Sequence, residues 1–234
     1  MSIDTFDREE FIRHRWRYRP GEHVTILGPT GCGKTHLTHQ LLEYTAHPKM
    51  PAIVLAMKPR DSTTSGFSKR LGYRTVRTWP PVWNPFKASP PGYTLWPKHT
   101  FDPDTDDANM YRHFRAAILD AYKRGDRIVY ADELLGLSSE LNLSNELRAL
   151  WTRGRSMGTA LWGSTQKPTH IPLWAYNQAE HLFIAYDPDR RSQDRFDEIG
   201  GVSPGLIRDT VNRLRKYQFV YIRRDGPALC IIDK

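Results

Sequence analysis

The chain has 234 residues, of which 39% are hydrophobic and 26% are charged, and this predicts a single globular domain over residues 1–234. No apolar run approaches the ~18 residues that a membrane-spanning helix needs, so we predict no membrane span. The cysteines, Cys32 and Cys230, lie far apart and argue against a disulfide scaffold or a zinc ribbon. A formal net charge of +8 favours a polyanion such as DNA or RNA as partner, although a solvated basic face gives the same charge.

Short apolar runs alternate with helical patterns along the chain. Residues 22–27 predict a buried strand that ends in glycine, and residues 34–44 predict a helix with one leucine stripe. Asp106 or Asp107 is the expected cap of a long helix that ends near Gly125. Further strands are predicted at 52–57, 127–131, 159–164, 181–186, 218–223 and 228–232, and further helices at 143–151 and 206–214. The alternation predicts an α/β fold with a mostly parallel central sheet flanked by helices and a C-terminal antiparallel hairpin.

Two segments lack this alternation. Residues 1–20 form a basic N-terminal arm, in which residues 13–19 (RHRWRYR) interleave cations with aromatic rings, a pattern that suits a DNA contact or a subunit interface equally. Residues 79–103 hold seven prolines among several aromatic residues. We therefore expect an insertion without regular helix or central strand, packed on the surface. A cover over a nucleotide or the lining of a ring pore are the alternatives for this insertion.

Residues 28–35 read GPTGCGKT and match the pattern GxxxxGK[ST] between a predicted strand and a predicted helix. Glycines allow successive backbone N–H groups to turn toward a phosphate, and the helix N-terminus adds partial positive charge. We expect ATP and Mg²⁺ as ligands, with Lys34 bridging the β- and γ-phosphates and Thr35 holding the metal. The predicted nucleotide contacts are Gly28, Pro29, Thr30, Gly31, Cys32, Gly33, Lys34 and Thr35.

Two adjacent carboxylates, Asp132 and Glu133, directly follow the predicted strand 127–131. Because ligands collect at the carboxyl ends of parallel strands, we expect both carboxylates opposite the phosphate loop. Asp132 is predicted to hold Mg²⁺ through water, and Glu133 to polarise the attacking water as a general base. The alternative is that the pair only caps the segment that follows.

Gln166 and Arg155 flank the predicted strand 159–164. A neutral amide at the position of Gln166 suits a contact with the γ-phosphate or with the attacking water. Arg155, as an arginine finger, would reach the γ-phosphate of a neighbouring subunit, an effect worth ~10³–10⁵ in rate. Arg153 is the alternative finger, and a surface arginine at a helix end is the alternative for both.

These motifs together resemble the FtsK/HerA superfamily of DNA-translocating P-loop ATPases, over about residues 22–186 and the C-terminal hairpin. The resemblance implies a RecA-like core that assembles into a homo-oligomeric ring, a hexamer, around double-stranded DNA. It implies that the Walker A residues are Lys34 and Thr35, the Walker B pair Asp132 and Glu133, the sensor Gln166 and the arginine finger Arg155. Relatives often carry TQRP where this chain has Lys167 in place of the arginine.

In its small size, with little beyond the core, the chain resembles the viral genome-packaging ATPases of that superfamily. This resemblance implies a capsid vertex or portal protein as a further partner and a location in the host cytoplasm or in the virion. Without a recognition helix or zinc finger, we expect contacts to the DNA backbone that do not depend on base sequence. Residues 201–234, with an excess of four positive charges, are the second candidate DNA contact beside the N-terminal arm.

Other functions fit parts of the pattern. A conjugation-type DNA-pumping ATPase shares the same motifs, and a small-molecule kinase also begins with GxxxxGK[ST], although the Asp-Glu pair followed by Thr-Gln favours a hydrolase. A nucleotide-gated regulator would hydrolyse slowly and without regard to DNA. A large terminase needs a separate nuclease domain, for which the residues after Gln166 are too few.

Overall fold

The computed structural model describes residues 3–82, 86, 88–166, 174–225 and 228–234. These residues form ten strands: β1 (Thr5–Phe6), β2 (Val24–Leu27), β3 (Ala52–Leu55), β4 (Arg74–Val76), β5 (Gly92–Leu95), β6 (Ile128–Ala131), β7 (Ala160–Thr165), β8 (His181–Ala185), β9 (Phe219–Arg223) and β10 (Ala228–Ile232). All ten strands join in one sheet, in the order β1-β10-β9-β8-β2-β7-β6-β3-β5-β4.

Parallel pairing dominates this sheet. The seven neighbouring strands from β8 to β4 pair in parallel, and β1 is parallel to β10. Strand β9 is antiparallel to both β8 and β10. The predicted parallel sheet and C-terminal antiparallel hairpin are therefore confirmed, with residues 226–227 of the hairpin turn lying outside the described residues.

Helices connect the strands. They are α1 (Arg8–Glu10), α2 (Lys34–Thr45), α3 (Ser62–Arg70), α4 (Pro103–Arg124), α5 (Ser144–Arg153), α6 (Trp174–Asn177), α7 (Arg190–Asp194) and α8 (Pro204–Val211). Two π-helical segments (Phe11–Arg15 and Gly136–Glu140) and two 3₁₀ turns (Arg155–Met157 and Arg195–Glu198) complete the regular structure of the described residues. In that part of the chain, every helix is too short or too polar to cross a membrane.

Each face of the sheet carries its own hydrophobic core. On one face the strands pack against α2, through Leu37 and Leu41, and on the other against α4 and α5, through Phe114 and Leu150. Successive residues of a strand alternate between the two cores, and all four residues of β6 are buried. Two covered faces explain why the central strands read as continuous apolar runs.

The N-terminal segment packs against the α2 face. Strand β1 pairs with β10, and the side chains of Phe11 and Trp16 are buried in the same core as Leu37. The indole Nε1 of Trp16 donates a hydrogen bond to Thr45 Oγ1 at 2.9 Å. The RHRWRYR pattern therefore directs Trp16 into the protein, while its arginines stay exposed.

Two sequence expectations were wrong. The Pro-rich stretch 79–103 contains β5, which lies between β3 and β4 and is therefore not an edge strand. None of the prolines falls within Gly92–Leu95, so every residue of β5 retains the N–H that pairing needs. Residues 83–85 and 87 of this stretch lie outside the described residues.

The second correction concerns the start of α4. Its cap is Asp102, whose carboxylate accepts a hydrogen bond from Thr105 N at 2.8 Å, with Pro103 at the first helical position. The predicted caps, Asp106 and Asp107, both lie within the helix, and Asp106 instead accepts hydrogen bonds from Thr100 N at 2.6 Å and Phe101 N at 3.1 Å. The Asp106 side chain thus fixes the loop before the helix from within the first turn.

His23 is buried at the start of β2. Its Nδ1 accepts a hydrogen bond from Leu161 N at 3.0 Å, and its ring stacks on Trp151 with centroids 5.1 Å apart. Burial lowers the pKa of His23 from 6.5 to about 4. Between these two values the unfolded chain binds a proton that the folded chain excludes. The contribution of neutral His23 to the free energy of unfolding is therefore fully present above pH 6.5 and is lost as the pH falls toward 4.

We predict that His23→Asn flattens the acid side of the stability profile. Asparagine retains an oxygen that accepts from Leu161 N, and it does not titrate. Wild-type His23, by contrast, lowers the free energy of unfolding by up to about 1.4 kcal/mol for each unit by which the pH falls. Denaturant unfolding between pH 7 and pH 4 measures the slope. His14→Asn, at an exposed position, is the control and leaves the slope unchanged. Equal slopes for wild type and His23→Asn contradict the prediction.

Candidate active site at the carboxyl ends of the central strands

The loop of residues 28–33 joins β2 to α2. Gly31 and Gly33 have φ of 77° and 99°, a region that side chains with a Cβ rarely adopt. Gly28 has φ of 151°, and a Cβ there would lie 2.6 Å from the Cβ of Ala185 in β8. Glycine is thus required where the loop turns and where it approaches the neighbouring strand. The backbone of this segment has the shape that a phosphate-binding turn needs.

Lys34 begins α2 and is buried in this loop. Its Nζ donates hydrogen bonds to the carbonyl oxygens of Gly28 at 2.6 Å and Pro29 at 2.9 Å. Burial lowers the pKa of Lys34, while the charges of Asp132 and Glu133 oppose that shift. The ammonium group therefore lies inside the loop where the phosphate-binding lysine was predicted.

Asp132 follows β6 and accepts three hydrogen bonds. Thr35 Oγ1 and Tyr130 Oη donate to Oδ1 at 3.0 Å and 2.5 Å, and Lys58 Nζ donates to Oδ2 at 3.3 Å. Burial raises the pKa of Asp132, but the Tyr130 hydrogen bond and the Lys58 charge outweigh it and hold the pKa below its ordinary value. Asp132 is thus held as a carboxylate beside the Thr35 hydroxyl.

Glu133 has a different environment from its neighbour. Burial raises the pKa of Glu133, although the hydrogen bond from Gln166 and the charge of Lys34 oppose the shift. Gln166 Nε2 donates to Glu133 Oε2 at 2.9 Å, and Gln166 Oε1 accepts from Thr30 Oγ1 at 2.5 Å. One amide therefore connects the carboxylate to the phosphate loop. A carboxylate with a raised pKa is suited to accept a proton near neutral pH.

The parallel sheet brings these groups together. Strands β2 and β6 both pair with β7, with Leu27 beside Thr165 and Ala131 beside Gly163. Because all three strands run in the same direction, the residues after their carboxyl ends meet at one edge. The predicted residues Lys34, Thr35, Asp132, Glu133 and Gln166 therefore form one connected cluster.

The oxygen donors of this cluster fit Mg²⁺. The Thr35 hydroxyl and the Asp132 carboxylate are hard ligands 3.0 Å apart. No group of three or more His, Cys, Asp or Glu side chains arranged to hold a metal occurs among the described residues. One hydroxyl and one carboxylate are the kind of partial ligand set that Mg²⁺ uses together with water and substrate phosphates.

Arg155 and Arg153 lie away from this cluster. Arg155 begins the 3₁₀ turn before β7, at the amino ends of the strands, and Nη1 donates to Glu180 Oε1 at 2.6 Å. The Arg155 side chain is 57% exposed. The Arg153 guanidinium lies over the Tyr122 ring, 5.8 Å from its centroid. The two arginines therefore make no contact with the phosphate loop of their own chain in the part that the structure describes, and Lys167 lies outside that part.

Two residues of the cluster were not predicted. Tyr130 lies within the apolar run of β6, and the sequence gives no sign that its hydroxyl reaches Asp132. Lys58 follows β3, and its Nζ is 3.3 Å from Asp132 Oδ2. The rule that ligands collect at the carboxyl ends of parallel strands identifies Lys58 as a candidate when it is applied to β3 as well as to β6.

The two basic segments are partly neutralised by ion pairs. In the N-terminal segment Arg19 lies 3.5 Å from Asp225. In the C-terminal segment Arg215 lies 3.1 Å from Asp233, and Arg208 pairs with Asp197. Four arginines of residues 13–19 remain exposed, and in the C-terminal segment Arg213, Arg215, Lys216 and Lys234 do, so both segments stay candidate polyanion contacts.

No protein-family model and no curated protein sequence matches the chain. Among solved structures, it resembles the genome packaging NTPase B204 from Sulfolobus turreted icosahedral virus 2 in complex with AMP, with a TM-score of 0.63 and 16% identity over 92% of this chain and 98% of that chain. VirB4 of Thermoanaerobacter pseudethanolicus gives a TM-score of 0.64 at 11% identity over 89% and 88%. The pCW3 conjugation coupling protein TcpA gives 0.52 at 14% over 90% and 59%. The chain therefore has the RecA-like P-loop fold of these proteins, which confirms the predicted fold class and, at the level of fold, the resemblance to FtsK/HerA-type ATPases.

Proposed function

We propose that the chain hydrolyses ATP and uses the free energy to move double-stranded DNA into a viral capsid. The observation that carries this proposal is the connected cluster in which Thr35 contacts Asp132 and Gln166 contacts both Glu133 and Thr30. A carboxylate and the glycine-rich loop bonded to the same amide support the assignment of a base beside a phosphate site. Similarity to a genome packaging NTPase over almost the whole of both chains supports the same function.

Each residue of the cluster has a role in this proposal. Lys34 exchanges its loop carbonyls for the β- and γ-phosphates of ATP. Thr35 and Asp132 would hold Mg²⁺, which, when bound, supplies positive charge to those phosphates. Glu133 accepts a proton from the attacking water as the water oxygen bonds to the γ-phosphorus and the bond to the leaving ADP oxygen breaks.

Gln166 acts as the sensor of the γ-phosphate. Its amide contacts Glu133 and Thr30 at once, so a phosphate that attracts Thr30 also changes the position of the base. This arrangement supports a coupling between the state of the nucleotide and the end of β7. We propose that this coupling produces the movement that is transmitted to DNA.

The positive charge supports a polyanionic substrate. The exposed arginines of residues 13–19 and of the C-terminal segment suit contacts with the phosphates of duplex DNA that do not read base sequence. We infer that the working form is a homo-oligomeric ring around the duplex. Its further partner is a capsid vertex or portal protein, and its place is the host cytoplasm or the virion.

A second function is supported by one comparison. The fold similarity to the conjugation coupling protein TcpA favours a DNA-pumping ATPase of a conjugation system. Both functions require hydrolysis that DNA stimulates, and they differ in the partner protein. A small-molecule kinase or a nucleotide-gated regulator requires no stimulation by DNA.

We predict that long linear double-stranded DNA stimulates steady-state ATP hydrolysis severalfold, and that high salt removes the stimulation because phosphate contacts are electrostatic. Lys34→Ala abolishes hydrolysis with and without DNA while the far-ultraviolet circular dichroism spectrum stays unchanged. Lys69→Ala, at an exposed position on α3, is the matched control and retains activity. Hydrolysis that is indifferent to DNA contradicts the motor and favours the kinase or the regulator.

We predict that Arg155 acts across a subunit interface. Its exposed guanidinium lies at the edge of the sheet opposite its own phosphate loop, so only a neighbouring subunit brings it to a γ-phosphate. Arg155→Ala and Lys34→Ala are each inactive alone, and mixing them restores part of the activity by joining an intact site to an intact finger.

The control for this experiment is Arg153→Ala mixed with Lys34→Ala in the same ratio. If Arg155→Ala alone retains full hydrolysis, or if only the Arg153→Ala variant shows loss and rescue, the finger is not Arg155. Absence of rescue with Arg155→Ala shows that the residue does not complete a site on another subunit.

A further inference from the structure

A cavity of about 660 Å³ adjoins the phosphate loop on the side of α2. This volume lies in the range of pockets that hold a whole small-molecule ligand, and a triphosphate alone does not fill it. The loop contributes Gly33, and α2 contributes His36 and Gln40. The remaining wall comes from both ends of the chain, through Arg8 and Tyr217 among others.

The Tyr217 ring borders the phosphate loop. A Cβ added to Gly33 would lie 3.3 Å from Tyr217 Cδ1, so the ring and the loop are in contact distance. The side chain is half-buried, and the ammonium groups of Lys216 and Lys234 lie 5.0 Å and 5.3 Å from the ring centroid. Both lysines are exposed, so a ligand that stacks on the ring is able to displace either.

The backbone of Tyr217 is held in an unusual conformation. Its φ of 72° lies in the left-handed region, which is rare for an aromatic residue. Such a conformation persists only where the surroundings impose it, and it is frequent at ligand sites. In this conformation Tyr217 forms part of the cavity wall.

A buried arginine from the N-terminal segment contacts the backbone of Tyr217. Arg8 Nη2 donates to the carbonyl oxygen of Tyr217 at 2.7 Å, and Nη1 donates to Gln40 Oε1 at 3.4 Å. The Arg8 side chain is more than nine-tenths buried, and its Nε has no hydrogen-bond partner among the described residues. Arg8 therefore connects the Tyr217 backbone to the Gln40 side chain within the cavity wall.

We propose that this cavity binds the base and ribose of ATP and that the Tyr217 ring is the face on which the base stacks. The inference rests on the proposed function, because it takes the phosphate loop as the site of the triphosphate. From that loop the nucleotide continues past Gly33 and His36 into the cavity, where an aromatic face and the Gln40 amide meet it. A planar aromatic base with polar edges is the chemistry that this wall fits.

The test compares two ligands that share the phosphates and differ in the base. Isothermal titration calorimetry measures the binding of Mg²⁺-ATP and of Mg²⁺-tripolyphosphate to the full chain. Tyr217→Ala is expected to weaken ATP binding on the order of tenfold, in line with the loss of one base–aromatic stack, and to leave tripolyphosphate binding unchanged. Tyr217→Phe retains the ring and binds ATP as the wild type does.

Two further variants keep the result interpretable. Tyr217→Gly removes the ring and adopts a positive φ without strain, so it gives the same binding loss in a folded protein even if the alanine variant is unstable. Tyr111→Ala, at an exposed position on α4, is the matched control and changes neither affinity.

The proposal is overturned if Tyr217→Gly binds ATP as tightly as the wild type. It is also overturned if Tyr217→Gly weakens ATP and tripolyphosphate equally, since the ring then supports the phosphate loop and not the base. These readouts are binding affinities and do not require hydrolysis or DNA. A motor function that fails its own test therefore leaves the assignment of Tyr217 to be decided separately.

Discussion

The parallel alignment of β2, β6 and β7 is the constraint on which the site depends. It places Thr35, at the start of α2, within 3.0 Å of Asp132 at the end of β6, although 97 positions separate them in the sequence. A shift of one residue in the pairing of β6 would direct Asp132 to the opposite face of the sheet. The covered faces hold that register, because all four residues of β6 are buried in two separate cores. Packing far from the phosphate loop thus determines the geometry at the loop.

The same cluster gives adjacent carboxylates opposite tendencies. Tyr130 and Lys58 keep the pKa of Asp132 low, whereas burial keeps the pKa of Glu133 raised. One side chain is therefore suited to remain charged beside a cation and the other to accept a proton. Separation of two pKa values by environment is a common basis for dividing roles between neighbouring acids. Sequence spacing alone shows only that the two acids follow a strand.

Local patterns made much of this site predictable. The predicted phosphate loop is a continuous motif, and the acid pair directly follows an apolar strand, so the sequence alone indicates both as candidates. The contacts of Tyr130 and Tyr217 depend on residues distant in the chain and carry no local signal, and Lys58 is indicated only by its position after β3. Strand β5 was missed because the density of prolines in 79–103 concealed four residues without one. The sequence indicates Arg155 as a candidate finger, but that role depends on a neighbouring subunit and stays a prediction.

The proposed coupling of ATP hydrolysis to movement along DNA is measured by displacement of a third strand. A fluorescent oligonucleotide is bound as a triplex at one end of a linear duplex, and its release is followed over time. We predict release that requires ATP, falls at high salt and is absent with Lys34→Ala. Release at the same rate with and without ATP, in a preparation that hydrolyses ATP, would contradict translocation.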